Sequence, residues 1–598
     1  MKNKILFVSH PQKNCGVHEF GKTTSDALKF SAAYNFVYTE CGSMEDLHNA
    51  IRVHQPAGII YNYHISTLPW LTEKIIHTKY RPLNRGIQIP QVGIMHEVTQ
   101  QRADTADNSL FDYHIAPDPT LLLLNPLVFK TGRLIPAYEN KFSLPPAFTV
   151  GSFGFATPNK GFEEIINAVQ QEFDNAIIRF NIPAADFGDK DGSNAAKLVE
   201  ACRKLIKKPG ISLIATHDFL DRNGILNFLA GNSLNVFLYQ DQTNRGISST
   251  TDYALAVDRP LAVSDSIMFR HLHSIDPSVI YGKSTLQQII KNGTAYQRSL
   301  KEEWSVPNLV WEYERIMNAI FRKEAQKKWA DQQTSGYKKL TGAIRKLAGF
   351  RKGKSSWLRN TEAATEDTLT IATGQSYKPI DSPQGEPLNR ILDNAARILY
   401  QPAIKKLTEL VPLTMAKKIP EANVQQGFVF DTVFSIIKEF DTPKILCVGS
   451  YEDTAAMALT RLGFRVQEID PCLNYYLQEF YEKPSTVKNS YDIIFSTSVI
   501  EHDPDDESFM KCIEGLLAPG GKAVLTCDFK DGWKPGDPKP EVDARFYTKK
   551  DLTTRLPSYI PQCRLVDEPQ WDCEFPDFNY LGKYQYTFAS FVIQKKRQ

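Results

Sequence analysis

"ILCVGSYEDTAAMALTRLGFRVQEIDP" fills residues 445–471 and reads as strand, turn, helix, strand. The apolar run before Gly449 is short, as a buried strand requires. The segment after it is helical, and "FRVQEID" returns as a strand that ends on Asp470. Such a unit builds a parallel sheet, and ligands of such sheets bind beyond the carboxyl ends of the strands. Gly449 lets the backbone come close to a ligand there. Asp470 can accept hydrogen bonds from paired hydroxyls; the competing reading is a helix cap, because Asp-Pro often starts a helix. Downstream, "YDIIFSTSV" and "GKAVLTCDF" continue the series, with "APGGK" as a tight turn between them.

The same alternation fills the N-terminal half. "KILFVSH", "AGIIYNYH" and "QVGIMHE" are buried-strand runs separated by helical stretches. "FTVGSFG", "NAIIRFNI", "ISLIATHDF" and "LNVFLYQ" form a second series with helices such as "GFEEIINAVQQEF" between them. Alternating strands and helices imply parallel sheets covered on both faces. The expected fold class is α/β, with two Rossmann-like domains in tandem and a third, C-terminal Rossmann-like domain. The expected boundaries are 1–140, 141–322, a linker over 323–387, and 388–598.

A chain of 598 residues exceeds one hydrophobic core and suits about three to four domains. Hydrophobic content of 42% and charged content of 23% are those of folded domains. A net charge of +2 argues against a protein that coats nucleic acid with its whole surface. None of the nine cysteines forms a C-x-x-C pair, so no zinc module or disulfide framework is expected. The apolar run near the N-terminus is too short for a signal peptide, and no stretch approaches the ~18 apolar residues of a membrane span. The expectation is a cytoplasmic protein.

The C-terminal motifs, with "TSVIEH…LLAPGGKAVLT", resemble those of class I S-adenosylmethionine-dependent methyltransferases. The resemblance implies that Gly449 and Ser450 line the methionine side of the cofactor and that Asp470 takes its ribose. Ser496 and Ser498 would face the methyl-donor cleft, with Glu501 and His502 on its lip. His502 would be the catalytic base for transfer to a hydroxyl, with Asp528 as the other candidate. The chain departs from the pattern at Cys447, where an acid is usual, and at Tyr451 and Asp453, where glycines are usual. A third strand is hard to find between "EKPSTVKNS" and "YDIIF".

The N-terminal half resembles the GT-B glycosyltransferases, in their retaining nucleotide-sugar-dependent branch. The carrying stretches are "CGVHEFGKTTSDAL", "VGIMHE", "GSFGFATPNKGFEEIINA", "RGISSTTDYALAVDRPLAVSDS" and the closing helix "VWEYERIMNAIF". The resemblance implies a catalytic His96 and donor-binding Gly16 and Lys160, with Gly21 easing the approach of the first loop; Arg245 could replace the missing phosphate-binding arginine, and Asp252 could supply an acid to the donor if the register slips by one. A sugar nucleotide leaves as a diphosphate, so the site needs fixed cationic donors and a helix N-terminus. Phe155 stands where the family has arginine. Arg245 and Tyr253 stand where it has two glutamates.

Residues 322–359 hold twelve Lys and Arg against Glu324 and Asp331, a balance of +10. Leu340, Ile344 and Leu347 fall on one helical face. This segment reads as a tether, as a peripheral contact with the inner membrane face, or as an RNA-binding stretch. Together the resemblances imply a bifunctional enzyme of bacterial cell-surface polysaccharide assembly. It would take a nucleotide sugar and S-adenosylmethionine, act on a glycan or lipid-linked glycan, and bind no nucleic acid. The rival is a methyltransferase whose GT-B region only binds glycan. An RNA methyltransferase is a third reading.

Overall fold

The computed structural model describes residues 2–13, 15–76, 79–184, 189–341, 377–380 and 386–597, with the backbone alone for 75–76, 79–80 and 327–341. The chain divides into two compact units, Met1–Gly349 and Phe350–Gln598.

The first unit holds two parallel sheets. One contains β1 (Asn3–Ser9), β2 (Tyr34–Glu40) and β3 (Gly58–Tyr61). A separate hairpin of β4 (Thr72–Ile76) and β5 (Lys79–Pro82) follows. The sheet is completed by β6 (Gln91–Ile94), β7 (Tyr113–Ala116) and β8 (Val128–Lys130), in the order 2-1-3-6-7-8. The other sheet has β9 (Thr149–Phe153), β10 (Ala176–Asn181), β11 (Ile211–Thr216), β12 (Leu234–Phe237) and β13 (Leu261–Val263), in the order 11-10-9-12-13. Ile5, Leu6, Phe7 and Val8 of β1 are all fully buried. A strand covered on both faces therefore reads as an unbroken apolar run. The helix Val306–Thr341 places Tyr313, Ile316, Met317 and Ile320 on one stripe that packs with Ile5 and Phe7 in the core of the first sheet. The closing helix thus crosses back as expected, but it runs on to Thr341, so the boundary drawn at 322 falls inside it.

The two sheets of this unit are bridged by three ion pairs. Arg133, after β8, meets Asp252 of the helix Thr250–Ala256 at 2.6 Å and 3.2 Å, with both side chains buried. Arg270 holds Asp118 at 2.5 Å, and Arg245 pairs with Glu97. The first is bidentate, a geometry guanidinium and carboxylate share.

The second unit holds β14 (Ile445–Val448), β15 (Val466–Ile469), β16 (Tyr491–Thr497), β17 (Leu517–Phe529), β18 (Cys563–Leu565), β19 (Phe578–Tyr580) and β20 (Tyr584–Lys595). The order is 15-14-16-17-20-18, with β20 antiparallel to β17 and β18, and β19 paired with β20. Val424, Phe428 and Val433 of the helix Asn423–Ile437 fill one face, and Phe480, Phe509 and Ile513 fill the other. Among the described residues nothing pairs with the outer edge of β15, so the missing third strand is a feature of the fold. The "APGG" residues bulge out between the Leu517–Tyr491 and Lys522–Ile493 pairs, with Gly520 left-handed (φ 84), so they turn the chain into the main run of β17 as expected.

The fold class is therefore the expected one: tandem Rossmann-like sheets, then a third. Within the linker, Tyr377 donates to Asp431 at 2.6 Å and the Ile380 amide to the same oxygen at 2.9 Å. Residues 377–380 thus belong to the packed second unit, because they satisfy a carboxylate on its buried helix. The basic segment's Ile344, Leu347 and the rest of 342–376 lie outside the described residues, as does the side chain of Leu340. No helix among the described residues is long and apolar enough to cross a membrane.

Breaking a buried ion pair from one side leaves an uncompensated charge, which costs about 3–5 kcal/mol. Asp252→Asn is expected to lower the first unit's unfolding free energy by that order, read as a lower denaturant midpoint at an unchanged slope. An unchanged midpoint would show that the Arg133 pair is energetically idle.

Candidate active sites

In the first unit a cleft of about 300 Å³ lies between the two sheets, lined among others by Gly16, Arg133, Lys160, Ser248 and Asp252. The helix Gly16–Leu28 begins at it. Its N-cap, Cys15, has extended backbone and no capping side chain, so the first amides and the positive end of the helix dipole are left for a ligand. Lys160 sits in the turn between β9 and the helix Phe162–Glu172. That turn needs left-handed backbone at Asn159 (φ 68) and Gly161 (φ 70), and a Cβ on Gly161 would fall 1.8 Å from the Leu238 carbonyl oxygen. The glycine thereby lets the Lys160 turn lie against the chain just after β12. Its Nζ rests 4.0 Å from the centre of the Tyr239 ring.

Three of the expected donor residues, Gly16, Lys160 and Asp252, share this cleft. Asp252 has both oxygens engaged by Arg133, and Arg245 is turned to Glu97 rather than into the cleft. Gly21 does not serve the first loop. A Cβ there would lie 2.2 Å from the Asn62 amide nitrogen, so it is small to admit Asn62. That asparagine donates to Ser9 Oγ and the Val17 carbonyl and accepts from His96 Nε2 at 2.7 Å. This sets the His96 tautomer, with Nδ1 as the acceptor. Burial, then the nearby His64, Arg133 and His10, push the imidazole down to about 3. His96 is thus neutral, and it lines a second cavity of about 540 Å³ with His64, Glu97 and Arg102 rather than the first cleft. Phe20, a wall of the first cleft, packs edge-on against it at 5.0 Å.

In the second unit a cavity of about 620 Å³ opens at the carboxyl ends of β14, β15 and β16, lined by Gly449, Asp470, Ser498 and His502. Gly449 is left-handed (φ 77), and a Cβ would lie 2.3 Å from Val499. Asp470 accepts from Cys472 N at 2.7 Å and Tyr451 N at 3.3 Å, so it both caps its turn and faces the cavity. Asp453 caps the helix Thr454–Arg461 through Ala456 N at 2.8 Å, which explains an acid where glycine was expected. Among the described residues, Thr454 Oγ1 and Gln426 Oε1, buried polar atoms of residues that line the cavity, have no hydrogen-bond partner. Such orphans fit a ligand with an amino and a carboxylate group, as S-adenosylmethionine has. Ser450 and Ser496 are buried and are not among the residues lining the cavity.

His502 Nδ1 meets Asp543 Oδ1 at 3.0 Å, with the Asp543 side chain buried. That bond raises the imidazole above its ordinary value, leaving Nε2 for a substrate. Behind it Glu501 accepts from Ser498 Oγ at 2.5 Å. Burial lifts the Glu501 and Asp528 carboxyls above the ordinary carboxylate range. Asp528 is buried and is not among the residues lining the cavity, so it does not face a substrate there as His502 does. Sequence reading missed Arg133, Asn62, Gln426 and Asp543. Asp543 lies in a Pro- and Gly-rich loop with no pattern to mark it.

No family model and no curated protein matches the sequence. Among solved structures the chain is similar to Anabaena HepE in complex with UDP and glucose, at 13% identity over 53% of this chain and 100% of that one, with a TM-score of 0.38. It is similar to the lipopolysaccharide outer core galactosyltransferase WaaB, at 9% identity over 54% and 99%, with a TM-score of 0.35. It is also similar to a Burkholderia thailandensis 1,6-didemethyltoxoflavin-N1-methyltransferase with bound S-adenosylhomocysteine, at 13% identity over 36% and 94%, with a TM-score of 0.23.

An ordinary histidine titrates near 6.5. In ring-nitrogen NMR at pH 5.5, His96 should still be neutral in the Nε2–H form when ordinary histidines are charged. Asn62→Ala should disturb that tautomer. A charged His96 at pH 5.5 contradicts its placement.

Proposed function

We propose that the chain is a bifunctional transferase: a nucleotide-sugar-dependent glycosyltransferase in its first unit and an S-adenosylmethionine-dependent methyltransferase in its second, both acting on a cell-surface or lipid-linked glycan. The observation that supports it most is the pairing of an open helix N-terminus with Lys160 in one cleft between two parallel sheets. A departing diphosphate needs that arrangement, because fixed amides and a cation stabilise its developing charge without reorganisation. Neutral His96 supplies a hydrogen-bonding nitrogen to an acceptor in the adjoining cavity. Its low basicity keeps it from competing as a cation for the phosphates.

For the second unit, Gly449, Asp470, Thr454 and Gln426 would hold the cofactor, which supplies an activated methyl group. His502 Nε2 takes the proton from the acceptor hydroxyl as the methyl is transferred. Asp543 keeps the ring oriented and stabilises the imidazolium that forms. The rival, a first unit that only binds glycan, is favoured by one observation: Asp252 and Arg245 are held in ion pairs across the cleft.

Two variants separate these readings. Lys160→Ala should abolish sugar transfer and leave methylation of a preformed acceptor intact. Asp470→Ala should do the reverse, weakening S-adenosylmethionine binding by calorimetry. If no sugar transfer is measurable for the unaltered chain across nucleotide sugars, the glycan-binding reading replaces the first half.

The His502–Asp543 pair predicts a pH profile. A base with a raised pKa is protonated, and inactive, over a wider acidic range. Methylation should rise with pH through an inflection above about 6.5. Asp543→Asn should move that inflection downward and lower the plateau. A profile indifferent to Asp543 removes it from the mechanism.

A further inference from the structure

The turn that carries Lys160 also carries Phe155, five residues earlier. The GT-B resemblance leads one to expect a phosphate-binding arginine there, and an uncharged ring contributes nothing to a diphosphate. Phe155 instead faces Phe219, which comes from the loop between β11 and the helix Arg222–Ala230. The ring centres are 6.5 Å apart and the planes are within 27° of parallel. Both rings line the donor cleft together with Lys160 and Gly16. Among the described residues neither belongs to a core cluster of the second sheet, and Phe219 is 42% exposed. Core packing therefore does not account for the pair.

Two near-parallel aromatic rings on the wall of a cleft suit one class of ligand, a planar heteroaromatic ring. Stacking of a base on an aromatic side chain is tolerant of base identity, because every base has a π-face. The chemistry at the two ends of the cleft then matches the two ends of one molecule. Amides and a cation suit phosphates, and aromatic faces suit a base.

We propose that Phe155 and Phe219 form the stacking platform for the base of a nucleoside diphosphate whose phosphates lie against Gly16 and Lys160. The proposal rests on the first unit being a nucleotide-sugar site. It adds that the base is held by stacking, so that purine and pyrimidine donors are poorly discriminated at this step.

The test is calorimetric titration of the full chain with UDP and with GDP. Phe155→Ala, Phe219→Ala and Phe219→Tyr are compared with the unaltered protein, with thermal midpoints as the control for folding. Base–aromatic stacking is worth about 1–3 kcal/mol. Each alanine variant should therefore bind the nucleotides about 5- to 150-fold more weakly, while Phe219→Tyr keeps the affinity. Alanine variants that bind as tightly as the unaltered chain overturn the platform and leave the nucleotide site standing. A tyrosine variant as weak as alanine, or a loss explained by a fallen thermal midpoint, shows a structural ring and also overturns it. An unaltered chain that binds neither nucleotide sinks both the platform and the nucleotide-sugar reading.

Discussion

Parallel strands impose the constraint on which everything else here depends. Neighbouring parallel strands require a crossover connection, commonly through a helix, and the crossover has one hand. Every strand of the two N-terminal sheets therefore ends at the same edge as its neighbours, and so do β14, β15 and β16. Loops, helix N-termini and chain reversals collect there. The Cys15–Gly16 helix start, the Lys160 turn, Gly449 and Asp470 all lie at such edges. Sheet interiors supply rigidity, and the edges supply chemistry.

Charge in these sites is held in place rather than left to solvent. Arg133 and Asp252 are both buried, and each is tolerable only because the other satisfies it. In the second unit the balance is different. Glu501, Asp528 and Asp543 are all buried acids, with His502 as the basic group bound to one of them. Burial raises the Glu501 and Asp528 carboxyls, and the Asp543 contact raises the imidazole at the cavity wall.

Much of the fold was legible because buried parallel strands are short apolar runs. The four strands β14 to β17 and most of the N-terminal series could be read that way. β20 escaped, since its "YQYTFASFVIQK" mixes polar and apolar residues and its partner, β17, lies some sixty residues upstream. The helix through 322 escaped because basic composition masks helical continuity. Asp470 was legible from its place after a strand, and Lys160 and His502 from the motifs that resemble those of known families. Arg133, Asn62 and Asp543 were not, because each acts through a partner 34 to 119 residues away. Gly21 was assigned to the wrong task for the same reason: what it must admit, Asn62, is distant in sequence.

The central claim is that one chain carries two separate transferase sites. It is tested most directly by calorimetric titration of the full chain with UDP and with S-adenosylhomocysteine, each alone and each with the other saturating. The account predicts one site for each ligand, with neither changing the affinity of the other. Mutual competition, or a chain that takes up only one of the two, would contradict it.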